Sequence, residues 1–106
     1  MAKYLLEASY TAEGAKGLMK DGGSKRRAAA KTLVESLGGK MECFYFAFGK
    51  TDAVVVVDFP DGVSAAAASL AINATGAVTG RVTVLLTPEE MDHAAKKSPK
   101  YTPPGK

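Results

Sequence analysis

Residues 40–59 read Lys40-Met41-Glu42-Cys43-Phe44-Tyr45-Phe46-Ala47-Phe48, then Gly49-Lys50-Thr51-Asp52, then Ala53-Val54-Val55-Val56-Val57-Asp58-Phe59. Two runs rich in aromatic and β-branched residues, joined by a short polar connection with a glycine, predict an antiparallel hairpin. Its strands span 40–48 and 53–59. Strict alternation puts Met41, Cys43, Tyr45 and Ala47 on one face of the first strand and Phe44, Phe46 and Phe48 on the other. In the second strand, Ala53, Val55, Val57 and Phe59 oppose Val54 and Val56. Both faces are therefore apolar, where a sheet covered on one side would show a polar second face. Leaving large apolar side chains in water forfeits about 1.5–3 kcal/mol each, so the second face is expected to mediate self-association. The competing reading is that the last helix or the proline-rich tail folds back over it.

Upstream, residues 3–10 alternate with Tyr4, Leu6, Ala8 and Tyr10 on one face, a further strand. Thr11 can cap a short helical turn to about Met19, weakened by Gly14 and Gly17, before Asp21-Gly22-Gly23 interrupts the chain. Ser24 is the expected N-cap of the first long helix. Ala30, Leu33, Val34 and Leu37 form its apolar stripe, and Gly38-Gly39 its stop. Downstream, Asp61 or Ser64 caps a second long helix rich in small residues from Ala65 to Ala74, and Gly76 ends it. Arg81–Leu86 reads as the fourth strand. Thr87-Pro88-Glu89-Glu90 then starts a final helix running to about Lys97, with Thr as N-cap, Pro at the first position and Glu at the third. The order β-α-β-β-α-β with an extra C-terminal helix predicts an α+β ferredoxin-like sandwich, both long helices on one face of a four-stranded antiparallel sheet. Residues 1–97 form the expected single domain, and 98–106 a tail rich in proline and lysine.

The 106 residues, 46% hydrophobic and 24% charged, fit one globular domain and exclude a wholly disordered or collagen-like chain. The net charge of +3 does not signal a nucleic-acid binder. Lys96, Lys97, Lys100 and Lys106 lie in an acid-free tail, and the rest of the chain carries one more acid than base. Phosphate neutralisation needs a basic stripe on the folded body, and none is present. The single Cys43 permits no internal disulfide and suits a reducing compartment. The N-terminus lacks the apolar run of a signal peptide, and no apolar stretch approaches the roughly 18 residues of a membrane span. A cytoplasmic location without membrane association is expected.

Several segments together resemble the GYD-domain family of small bacterial and archaeal proteins. They are Tyr10-Thr11-Ala12-Glu13-Gly14, Glu35-Ser36-Leu37-Gly38-Gly39-Lys40, Phe44-Tyr45 leading to Phe48-Gly49, and Asp52-Ala53-Val54-Val55-Val56. Pro60-Asp61 and Leu86-Thr87-Pro88-Glu89-Glu90 complete the set. The resemblance covers nearly the whole chain and implies a ferredoxin-like protomer assembled as a dimeric α/β barrel. Of the Gly, Tyr and Asp that name the family, Gly49 and Asp52 match, while Thr51 stands where the tyrosine is expected, so no role of that phenol carries over. The resemblance implies no particular activity. Structurally similar dimeric barrels include cofactor-free monooxygenases, isomerases, and dehalogenating or haem-binding enzymes, an analogy of fold alone.

The candidate ligand-binding residues are Tyr10, Tyr45 and Asp52. Their strand positions could aim two phenols and a carboxylate into a cavity between sheet and helices, with room left by Ala65 to Ala68. The plainer readings are that the tyrosines pack and that Asp52 satisfies backbone in its own turn. Ser24, Arg26 and Arg27, with Gly22-Gly23 before them, could hold an anion by hydroxyl, guanidinium and free N–H groups, or form a solvated basic face. His93 is alone on the last helix and Cys43 has no activating neighbour in sequence, so neither a metal nor any other cofactor is called for. No nucleotide-binding or nucleophile-elbow motif occurs. The function expected is small-molecule binding or an accessory role without catalysis. The alternative is a cofactor-independent barrel enzyme acting on a small aromatic or lipophilic substrate, monooxygenase- or isomerase-like. A nucleic-acid or protein adaptor working through the basic tail is the third class.

Overall fold

The hairpin forms as β2 (Lys40–Phe46), two residues shorter than expected, and β3 (Ala53–Phe59), in a computed structural model that describes residues 1–106. With β1 (Ala2–Tyr10) and β4 (Val78–Leu85) these strands make one antiparallel sheet in the order β2-β3-β1-β4. The long helices α2 (Gly23–Ser36) and α3 (Gly62–Ala74) cover one face. The short helix α1 (Ala12–Asp21) is inserted between β1 and α2, and the short helix α4 (Pro88–Ala95) follows β4. The architecture is α+β and ferredoxin-like, and the sheet does not close into a barrel.

The helix boundaries follow from local chemistry. Thr11 Oγ1 accepts from the Gly14 N–H at 3.2 Å, and Asp61 Oδ1 accepts from the Ser64 N–H at 2.8 Å. At α4 the capping box is complete: Thr87 Oγ1 accepts from the Glu90 N–H, and Glu90 Oε1 accepts from the Thr87 N–H. The Gly39 N–H reaches back to the Val34 carbonyl at 3.0 Å, with Gly38 at φ 77° closing α2. Ser24 does not cap α2. Gly22, at φ 85°, ends α1 through its N–H on the Leu18 carbonyl and is also the N-cap of α2. Gly22 is the one residue between the two helices, so Ser24 falls inside the first turn.

The second departure from strict alternation lies in β2. Register against β3 shifts between Met41 and Cys43, a β-bulge that absorbs Glu42. Beyond it, Phe44 pairs with Val55 and Phe46 with Ala53, on the helix-facing side, while Cys43 and Tyr45 pair with Val56 and Val54 on the open side. Tyr45 therefore stands on the open side, away from the helices toward which its candidate role would aim it. The edge-on contact of Phe44 and Phe46, ring centroids 5.1 Å apart, fits their shared face. The displaced Glu42 accepts from Lys3 Nζ at 2.9 Å, and Asp58 accepts from the same ammonium at 3.1 Å. These two hydrogen bonds, that to Glu42 first, hold the Lys3 ammonium above the ordinary lysine range.

The core joins Tyr4, Leu6, Val55, Val57 and Phe59 of the sheet to Val34 of α2 and to Ala65 and Ala68 of α3. Val57 and Phe59 are wholly inaccessible, and Tyr4 packs tilted on Phe59 at 5.8 Å. On the open face Leu5, Cys43, Val54 and Val56 are half-buried, and Tyr45 is 68% exposed. All of α4 and the segment after it are exposed. No helix is long and apolar enough to cross a membrane.

Candidate functional site

Helical spacing sets the site. Arg26, Ala29, Ala30 and Leu33 fall at i, i+3, i+4 and i+7 of α2 and face the sheet. Opposite them the strand period brings Leu6, Ala8 and Tyr10 of β1, with Phe44, Ala53, Val55 and Val78 from the neighbouring strands. Ile72 of α3 closes the remaining side. Because Ala29 and Ala30 are small, the layer is not filled there. A cavity of about 120 Å³ remains, and Arg26 is the one charged side chain on its wall.

This cavity continues into a wider groove of about 460 Å³ bounded by Glu13, Gly17 and Asp21 of α1 and by Ala71 and Thr75 of the α3 end. Tyr10, Arg26, Leu33, Ile72 and Val78 line both spaces and so mark their junction. A third hollow, against the end of the hairpin, is lined by Tyr10, Leu18, Phe46, Phe48 and Asp52. A molecule entering from the groove would meet a phenol and a guanidinium before an apolar chamber.

Of the residues singled out in the sequence, Tyr10 and Arg26 are thus brought together, although they belonged to two separate expectations. Asp52 bonds its own connection only through its carbonyl, which accepts from the Ala47 N–H at 2.8 Å, while its carboxylate bonds the backbone of β1. Its Oδ2 accepts from the Tyr10 N–H at 2.8 Å, and its own N–H donates to the Ala8 carbonyl at 2.8 Å. The carboxylate lines the third hollow and not the apolar cavity. Tyr45 stands on the opposite face of the sheet, carried there by the bulge. Ser24 and Arg27 border a shallow depression with Gly23, Phe44 and Phe46, so they do not converge with Arg26. The room comes from Ala29 and Ala30, since Ala65 and Ala68 are consumed in core packing. His93 is exposed on α4, Cys43 is half-buried on the open face, and no group of three His, Cys, Asp or Glu side chains lies together.

The lining residues that sequence reasoning passed over are Ala29, Leu33, Ile72 and Val78. The stripe Ala30, Leu33, Val34 and Leu37 reads as core. The overlapping stripe from Arg26 begins with a cation, which masks its inward face. A family model described as the GYD domain matches residues 4–95. No curated protein and no solved structure gives a significant match.

Proposed function

The chain belongs to the GYD-domain family, and from that premise we propose that it is a small-molecule-binding protein, acting without catalysis through the cavity between the sheet and α2. The observation that carries this reading is the cavity of about 120 Å³ with apolar walls and two polar groups, Tyr10 and Arg26, at its mouth. Such a concave apolar site with few convergent polar groups is the usual form of a ligand pocket. An apolar cavity of about 150 Å³ takes benzene, so a single ring or a short branched chain suits this one.

The same proposal includes self-association through the open face of the sheet. Leu5, Val54, Val56 and Tyr45 make an apolar strip there, with the Lys3–Glu42–Asp58 cluster nearby. A contiguous strip of this kind supports an interface with a second copy of the chain. Its lone thiol, Cys43, fits a reducing, cytoplasmic setting.

Benzyl alcohol titrated into the protein and followed by ligand-observed NMR tests the site. Binding is expected, and Ala30→Leu, which fills the chamber, should weaken it by about tenfold while circular dichroism stays native. Ala29→Leu serves as a second filler. Unchanged binding in both folded variants would place the probe elsewhere and refute the cavity.

A further inference from the structure

We propose that the molecule bound in this cavity carries one carboxylate on an apolar body, and that Arg26 and the Tyr10 hydroxyl hold the carboxylate at the junction of chamber and groove. The inference rests on the pocket reading above and specifies its ligand class.

The case begins with Arg26. It is half-buried and lines the cavity together with Ala29, Ala30 and Leu33 of the same helix, at an otherwise apolar wall. A guanidinium offers five donors in a planar fork and no acceptor. Yet Arg26 makes no ion pair, and its side chain takes part in none of the protein's hydrogen bonds; of the two nearest cations in sequence, it is Lys25 that meets Asp21, at 3.7 Å. Tyr10 lines the opposing β1 wall, and its hydroxyl has no hydrogen-bond partner either. Two unengaged donors of different elements thus bound one opening.

A ligand that fills the chamber would strip water from both. Desolvating a cation without a counter-charge is costly, so a neutral apolar ligand gains least there, and an anion that accepts from both donors gains most. A carboxylate has two oxygens, one for each donor. The charge count favours a monoanion over a phosphate. One guanidinium and a neutral phenol supply a single positive charge, and Glu13 and Asp21 on the outer groove repel a dianion. The chamber behind, near the size that takes benzene, sets the body as one aromatic ring or a short branched chain.

The experiment compares sodium benzoate with benzyl alcohol, the same ring with and without the charge, on wild type, Arg26→Met and Tyr10→Phe. Wild type should bind benzoate at least about tenfold more tightly than the alcohol, the fold-change expected of a charged hydrogen bond. Arg26→Met should bring benzoate binding down to the level of benzyl alcohol, and Tyr10→Phe should close a smaller part of the gap. Arg26→Gln, a polar replacement, is the second variant should Met disturb α2. Benzoate binding no tighter than benzyl alcohol, or Arg26 variants that weaken both equally, would overturn the carboxylate while leaving the cavity intact. Failure of both probes to bind wild type would remove the cavity and this inference together.

Discussion

Gly14 lies inside α1, although glycine costs a helix interior about 0.5–1 kcal/mol relative to alanine. The reason is a close approach. A Cβ at Gly14 would overlap the Ala77 carbonyl oxygen, which already accepts from the Thr11 N–H at 3.0 Å and the Thr11 hydroxyl at 3.1 Å. Around Gly17, three residues on, a Cβ would meet nothing within 4 Å. Two chemically identical changes should therefore have opposite signs. Gly14→Ala should destabilise by about 1–3 kcal/mol, and Gly17→Ala should stabilise by about 0.5–1 kcal/mol, read from urea midpoints. Equal effects would show that α1 is not pinned to the start of β4. Asp61 gives a second test at this scale. Its carboxylate accepts from the Ser64 N–H, which lowers its pKa from the ordinary 3.8. A depressed folded pKa means stability that is present above the unfolded pKa and lost as pH falls through the folded one. Asp61→Asn keeps a capping oxygen without the titration. The stability difference between wild type and Asp61→Asn should shrink on acidification below about pH 4 and be flat near neutrality. A difference independent of pH across that range would contradict the cap's role in setting the pKa.

At the scale of elements, β2 is where sequence and structure part. The strand itself is legible, because aromatic and β-branched residues bounded by glycines carry a clear period of two, and β1, β3 and the caps at Thr11, Asp61 and Thr87 follow from equally local signals. The bulge has no such signal. Glu42 looks like any outward polar residue, and only pairing with β3 and the reach of Lys3 from β1 show it as the inserted one. That one extra residue places Phe44 beneath the helices and Tyr45 away from them, so uninterrupted alternation cannot locate Tyr45. This placement predicts a separation of effects. Phe44→Ala should cost about 2 kcal/mol of folding stability, below the range of a fully buried phenylalanine because Phe44 borders a cavity. Tyr45→Ala should leave folding within about 0.5 kcal/mol and weaken self-association instead, seen by sedimentation equilibrium against urea unfolding. A larger folding loss from Tyr45→Ala than from Phe44→Ala would restore uninterrupted alternation.

For the whole molecule, the accessible surface is 7435 Å², against about 5,600 Å² expected of a compact monomer of 11.0 kDa. The radius of gyration is 16.8 Å, against about 13 Å for a compact chain of this length. Only 11 of 106 residues are buried, so the protomer leaves much apolar surface to be covered. Contributing to the excess are the open sheet face, the exposed segment after residue 95, and the α4 arm, whose eight residues have a complete capping box yet bury nothing. A helix that short is marginal in water without packing, which suits an arm that docks on a second copy. The two faces of the sheet then have separate tasks in the proposal, the open side for assembly and the helix side for a ligand. Methyl chemical-shift mapping of the intact protein with benzyl alcohol tests this division most directly. The account predicts shifts on the cavity methyls of Leu6, Leu33, Val34, Val55, Ile72 and Val78, with Leu5, Val54 and Val56 unmoved. Shifts on Val54 and Val56, or none at any methyl, would contradict it.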